Sequence, residues 1–231
     1  MTLIGAVGPS VYWYLTRSTG AVSLILLTLS VALGVAGVSR FSSPRWPRFV
    51  LDSLHRNVSL LALAFLLAHI LTAVLDSFAP ISLTDAIVPF GGSYRPFWLG
   101  LGAVAFDLLL AVTLTSLVRR RLGYGAWRAT HWLAYACWPI ALLHGLGTGS
   151  DAKSTWLFVL NLACLATVGL AVGIRTITGW PDHARVRGAA LGATAVFSLF
   201  LVLWLPGGPL GHGWASRSGT PTSLLIGSSK K

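Results

Sequence analysis

Long apolar runs alternate with short polar connections along most of the chain. Six of them, residues 13–38, 54–75, 97–118, 127–146, 155–174 and 188–205, reach the roughly 18 residues that a helix needs to span a bilayer. Within each run the apolar character is continuous rather than alternating, which suits helices and not the strands of a membrane barrel. The pattern predicts an all-α fold, a polytopic membrane bundle of six transmembrane helices. The first run is too long for a signal-peptide core and follows no basic residue, so it reads as a retained anchor.

Composition agrees, with 55% hydrophobic and 10% charged residues, and makes the lipid bilayer the expected solvent. A net charge of +11 would ordinarily raise nucleic acid as a partner. Here the charge sits between the spans, which argues for no nucleic acid. Arg40, Arg45, Arg48 and Arg56 surround the first connection, Arg119, Arg120, Arg121 and Arg128 the third, and Arg175, Arg185 and Arg187 the fifth. The second and fourth hold only Arg95 and Lys153. By the positive-inside rule the odd-numbered connections are cytoplasmic, giving a multi-pass protein of the cell membrane with both termini extracytoplasmic. Arg217, Lys230 and Lys231 in the tail run against this assignment.

Residues 1–12 then form an external N-terminus, 13–174 a five-helix unit, and 175–206 a cytoplasmic loop with the additional sixth helix. Residues 207–231 are rich in Gly, Ser and Pro and read as a disordered tail. The external segment 76–96, with Pro80, Pro89, Gly91, Gly92 and an apolar stretch at 86–90, either folds over the outer mouth of the bundle or forms a plain surface loop. Cys137 and Cys164 lie in different spans and read as small apolar packing residues. No glycine-rich dinucleotide fingerprint is present, so an electron source must lie elsewhere.

Four histidines carry the chemistry. His55 and His69 stand 14 positions apart in the second run, His131 and His144 13 apart in the fourth. Either separation is about 20 Å along a helix, two thirds of the hydrocarbon thickness. The two spans run in the same direction, so His55 and His131 share the cytoplasmic level while His69 and His144 share the outer one. Imidazole is the commonest protein ligand of haem iron, and one haem per leaflet fits the spacing. A 14-residue separation returns to within about 40° of one face, whereas 13 residues fall about 140° off. A kink or widened turn at Pro139 would help to bring His144 and His131 into one cavity. A transporter in which the same histidines bind a transition metal or protons is the alternative. His183 and His212 fall in loops and read as solvated.

The segments L-H-R-N-V-S-L at 54–60 with A-H at 68–69, and W-R-A-T-H-W at 127–132 with L-L-H-G at 142–145, resemble the ferric reductase-like transmembrane domain family. Ferric reductases, NADPH oxidases and the haem-bearing membrane subunit of methionine sulfoxide reductase are its members. The resemblance covers residues 13–174 and implies two b-type haems, an inner one on His55 and His131 and an outer one on His69 and His144. Two histidines fill both axial positions of each iron, leaving electron transfer as the expected task. The donor would be a separate flavin reductase or quinol, because the dehydrogenase region of the oxidases has no counterpart, and the acceptor would be extracytoplasmic. Arg17 is a candidate partner of the outer propionates or a snorkelling cation; Arg56 and Arg128 are candidates for the inner propionates or positive-inside determinants. Asp107, in the middle of the third span, either orients a ligand histidine, carries protons, or stays protonated and hydrogen-bonded to a neighbouring helix, the last being the first expectation.

Overall fold

The computed structural model describes residues 10–38, 47–149, 151, 153–178 and 181–226. Arg40, Arg45, Lys230, Lys231 and residues 1–9 of the expected N-terminal segment lie outside these residues, as does the side chain of Arg48. Among the described residues every regular element is a helix. α1 (Val11–Val38) and α2 (Arg48–Leu75) pack along one another, and Ser10 Oγ ties the start of α1 to Asp76 at the end of α2 with a 2.8 Å hydrogen bond. The short α3 (Leu83–Ile87) is opened by a capping box in which the Ser82 and Asp85 side chains each accept a backbone N–H of the other's end. α4 (Pro96–Leu117) begins with proline in its first turn, where no N–H is needed. The basic α5 (Arg119–Leu122) ends on Gly123, whose φ of +78° excludes most side chains.

The fourth crossing is split into α6 (Tyr124–His131) and α7 (Ala134–Thr148), followed by α8 (Thr155–Thr178) and α9 (Ala184–Trp204). Among the described residues five helices, α1, α2, α4, α8 and α9, are long and apolar enough to cross a membrane, and α7, with 15 residues, relies on α6 to complete the fourth crossing. The interruption lies at Trp132 and Leu133, upstream of Pro139, which sits inside a continuous α7. The expected kink at proline is therefore a tightened turn in another place. Leu133, Tyr135 and Ala136 donate to the carbonyls of Thr130, Trp132 and Leu133, three residues back in each case. Each such step turns about 120° instead of about 100°, so three of them recover about 60° of the offset between His131 and His144.

The helices meet in an apolar core of Trp138, Leu142, Leu146, Cys164 and Leu201, continued by Ala105, Leu109 and Cys137. Trp138, 3% exposed, donates its indole N–H to Thr28 Oγ1 at 2.9 Å, and the Cys137 thiol donates to the Ala105 carbonyl. Both cysteines are free and buried, as apolar packing requires. Outward faces keep leucine and valine exposed, including Leu170, Val202 and Leu203, as contact with lipid demands.

The segment after Leu205 is ordered through α10 (Trp214–Arg217) and α11 (Thr222–Ile226), contrary to the disorder its composition suggests. It has no core of its own and borrows that of the bundle. Trp98, Trp204 and Trp214 form a cluster with ring centroids 5.0 to 5.7 Å apart. Arg95, only 4% exposed and at a left-handed φ of 41°, is the clasp. Its backbone N–H donates to Gly219 O, its Nε to Thr220 Oγ1, and its Nη1 to the carbonyls of Gly147 and Thr148. Arg95→Ala is expected to release this segment: limited trypsin digestion of the detergent-solubilised protein should cut after Arg217 several-fold faster than in the parent. Equal rates would mean that the tryptophan contacts hold it unaided.

Candidate functional site

Two levels of paired histidines follow from how α2, which carries His55 and His69, lies opposite the split fourth crossing, where His131 ends α6 and His144 stands on α7. His55 and His131 have ring centroids 6.1 Å apart at an interplanar angle of 73°, and His69 and His144 are 6.3 Å apart at 82°. The levels are about 21 Å apart along α2. All four histidines are half-buried. The structure thus brings together the residues that the sequence pairs by depth.

Main-chain carbonyls hold three of the rings. His55 Nδ1 donates to Ser30 O at 2.9 Å, His69 Nδ1 to Thr16 O at 2.8 Å and His144 Nδ1 to Trp98 O at 2.9 Å. A carbonyl only accepts, so the proton of each neutral imidazole is on Nδ1 and the Nε2 lone pair is free to ligate. Beside His55, Ser30 donates to Ser59 Oγ at 2.6 Å and Ser59 donates to the His55 carbonyl, fixing the register of α1 on α2 at that level. His131 differs: its Nδ1 is buried without a hydrogen-bond partner among the described residues.

A cavity of about 290 Å³ opens at the level of His69 and His144, bounded by Gly20, Leu66, Gly102 and Phe106. The segment between α2 and α4 covers its mouth, with Phe78, Ile81 and Ala86 on the wall, so the folded-over alternative is the one formed. Arg17 lines the cavity, stacks its guanidinium 4.2 Å from the Trp13 ring centroid and pairs with Asp151. Tyr94, buried, lines it too. Arg56 and Arg128 are exposed at the basic end, next to His55 and one turn before His131. Trp132 and Tyr135 are exposed and Trp138 belongs to the core. His183 and His212 are exposed and outside the cavity.

Asp107 is half-buried in α4 and makes no hydrogen bond among the described residues, so the expected bond to a neighbouring helix is not formed. Sequence reasoning also missed Asp151 as the partner of Arg17, and the Thr16, Ser30 and Trp98 carbonyls, which carry no side-chain signal.

The donor set restricts what can bind. Among the described residues no cluster of three or more His, Cys, Asp or Glu exists. A structural or catalytic zinc wants three or four protein ligands. A planar macrocycle that supplies four of its own wants two, on opposite sides of the metal. With metal–imidazole bonds of about 2 Å, such a pair has ring centroids about 6 Å apart, which matches both levels. The residues present fit a haem at each.

Residues 19–144 match the family described as the ferric reductase like transmembrane component. The chain belongs to this family. The matched region contains His55, His69 and His131 and ends on His144. The haem-binding subunit MsrQ of protein-methionine-sulfoxide reductase from Azospira oryzae is 32% identical over 176 residues, 75% of this chain and 66% of that relative. The chain thus spans a little under two thirds of the length of the relative it matches. No solved structure matches the chain.

Proposed function

We propose that this member of the ferric reductase-like family is a dihaem b-type membrane cytochrome, the electron-transfer subunit of an oxidoreductase whose catalytic part is a separate protein. The observation that carries the reading is the pair of facing imidazoles at each level, set at the separation a shared iron requires and with Nε2 free at His55, His69 and His144. His55 and His131 hold the inner haem, His69 and His144 the outer. The haem-binding name of the relative supports the same cofactor. When bound, the two haems supply one-electron carriers that link the two faces of the bilayer.

The chain's own residues do the rest. With two imidazoles holding each haem iron, no position would be open to oxygen or a substrate, and the group would supply electron transfer alone. The layer of Leu142, Trp138 and Cys137 between the levels keeps water out of the middle of the bundle. Arg17 presents a cation at the edge of the outer cavity, suited to propionate carboxylates. Arg56 and Arg128 offer the same at the basic end. That end is cytoplasmic by the positive-inside rule, with both termini outside. The donor is then a cytoplasmic flavin reductase or a quinol, and the acceptor an extracytoplasmic partner. A metal transporter on the same histidines is disfavoured because, among the described residues, neither level offers a third His, Cys, Asp or Glu ligand.

The absorption spectrum of the purified protein decides between the two. Low-spin bands that shift on dithionite reduction support the cytochrome; a colourless protein that binds Zn²⁺ supports the transporter. Alanine at any one of the four histidines should lower haem content from two per chain to one. His55→Ala and His131→Ala should leave the same residual spectrum, and His69→Ala and His144→Ala the other; unchanged content in all four would discard the ligand set.

Arg17→Ala is expected to lower the midpoint potential of the outer haem. The oxidised iron centre carries one more positive charge than the reduced one, so loss of a nearby cation favours oxidation. A redox titration with an unaltered midpoint and intact haem content would remove the propionate role and leave Arg17 to its contacts with Trp13 and Asp151.

Orientation is tested with single cysteines at Ser82 and Gly125, with Cys137 and Cys164 replaced by alanine. A membrane-impermeant maleimide applied to intact cells should label the first and spare the second. The reverse pattern would invert the route.

A further inference from the structure

Each anchored histidine lies against a glycine, and the glycine always stands four residues after the carbonyl that accepts the imidazole N–H. His69 donates to Thr16 O and faces Gly20; His55 donates to Ser30 O and faces Gly34; His144 donates to Trp98 O and faces Gly102. The 14-residue step from Gly20 to Gly34 on α1 equals that from His55 to His69 on α2, which runs antiparallel to it. A Cβ at Gly102 would stand 2.5 Å from His144 Cε1 and Nδ1, one at Gly20 2.9 Å from His69 Cε1, and one at Gly34 3.3 Å from His55 Cε1.

Helix geometry explains the offset of four. A helical side chain covers the turn N-terminal to its own Cα, so the residue at i+4 shields the carbonyl at i. Glycine there leaves that oxygen open to a second donor while it keeps its bond within the helix.

The fourth histidine is the exception that supports the rule. One level further along α4, 13 or 14 positions beyond Trp98, the equivalent carbonyls are those of Ala111 and Val112. Four residues after them stand Thr115 and Ser116. The Thr115 hydroxyl donates to both carbonyls, at 2.7 and 3.2 Å. His131 Nδ1 is left without a hydrogen-bond partner.

We propose that Gly20, Gly34 and Gly102 are positioning residues for the metal-ligating histidines, each seating one imidazole on a bare helix carbonyl. The functional sense of this rests on the dihaem reading, but the seat itself is a property of the chain. A double-mutant cycle on the detergent-solubilised full chain tests it without reference to haem. Gly102→Ala and Gly20→Ala should lower the thermal midpoint, the first more than the second and both more than Gly34→Ala. In His144→Ala and His69→Ala backgrounds the same substitutions should lose that effect, because the ring that would be struck is gone. Gly169→Ala in α8, where no atom lies within 4 Å of the added carbon, is the reference. Should Gly102→Ala fail to accumulate, its recovery in the His144→Ala background supports the seat, and failure of both overturns it. Equal destabilisation in both backgrounds, or behaviour like Gly169→Ala, also overturns it.

The loaded protein gives a second readout by electron paramagnetic resonance. Gly34→Ala should shift the low-spin signal of the His55 level and spare the other, with the reverse for Gly20→Ala and Gly102→Ala. Two haems with unshifted signals in all three variants would refute the positioning role. A parent without haem would refute the dihaem reading and leave the seats to be decided by the cycle.

Discussion

An imidazole that ligates through Nε2 has to be held by its other nitrogen, and inside a lipid-embedded bundle the acceptors at hand are carbonyls already engaged in their own helices. This constraint shapes the molecule more than any side-chain pairing does. Thr16, Ser30 and Trp98 each lend a carbonyl, which requires α1 to lie close along α2, and α4 along α7. Small residues at the interface permit that approach, at a cost of about 1 kcal/mol of helix propensity for each glycine. Side-chain bonds between helices then hold the register, from Ser30 to Ser59 at one level and from Trp138 to Thr28 at the centre.

The histidine levels were legible in the sequence because they depend only on rise per residue and on the placement of arginines. Periodicity also showed that His131 and His144 do not share a face. It did not show where the chain corrects this, since a tightened turn at Trp132 and Leu133 is a choice among backbone hydrogen bonds with no side-chain signature. Pro139 was the visible candidate, and the helix carries it unbroken.

The larger miss was the segment beyond Leu205. Gly, Ser and Pro report that a stretch lacks a core of its own, which is true of it, and say nothing about a core supplied from elsewhere. Thr220 reaches Arg95 across 125 positions of sequence, and Trp214 donates to Gly147 O across 67. Arg17 and Asp151 were opaque for the same reason, because they meet only once α8 packs on α1. A pattern read one span at a time finds what each span presents and not what closes over it.

The two levels are unequal, and the inequality has a chemical direction. At the His69 level both rings donate to carbonyls, a cavity encloses the space beside them, and the segment around α3 covers it. At the other level only His55 is anchored, and His131 ends a helix just before the interruption in its span. A hydrogen bond from Nδ1–H makes an imidazole a better electron donor to a metal. Two anchored ligands therefore favour the oxidised state of a bound iron more than one anchored and one free ligand do. Burial of the more positive oxidised centre acts in the opposite sense. The potential of an iron bound at the enclosed level would depend on how nearly these two effects cancel, with Arg17 at its edge adding to the second. Rigidity carries no such ambiguity: three seated rings are fixed by backbone, while the orientation of His131 rests on packing against neighbours such as Trp127, so a metal held at its level would be the one whose ligand set rearranges most readily.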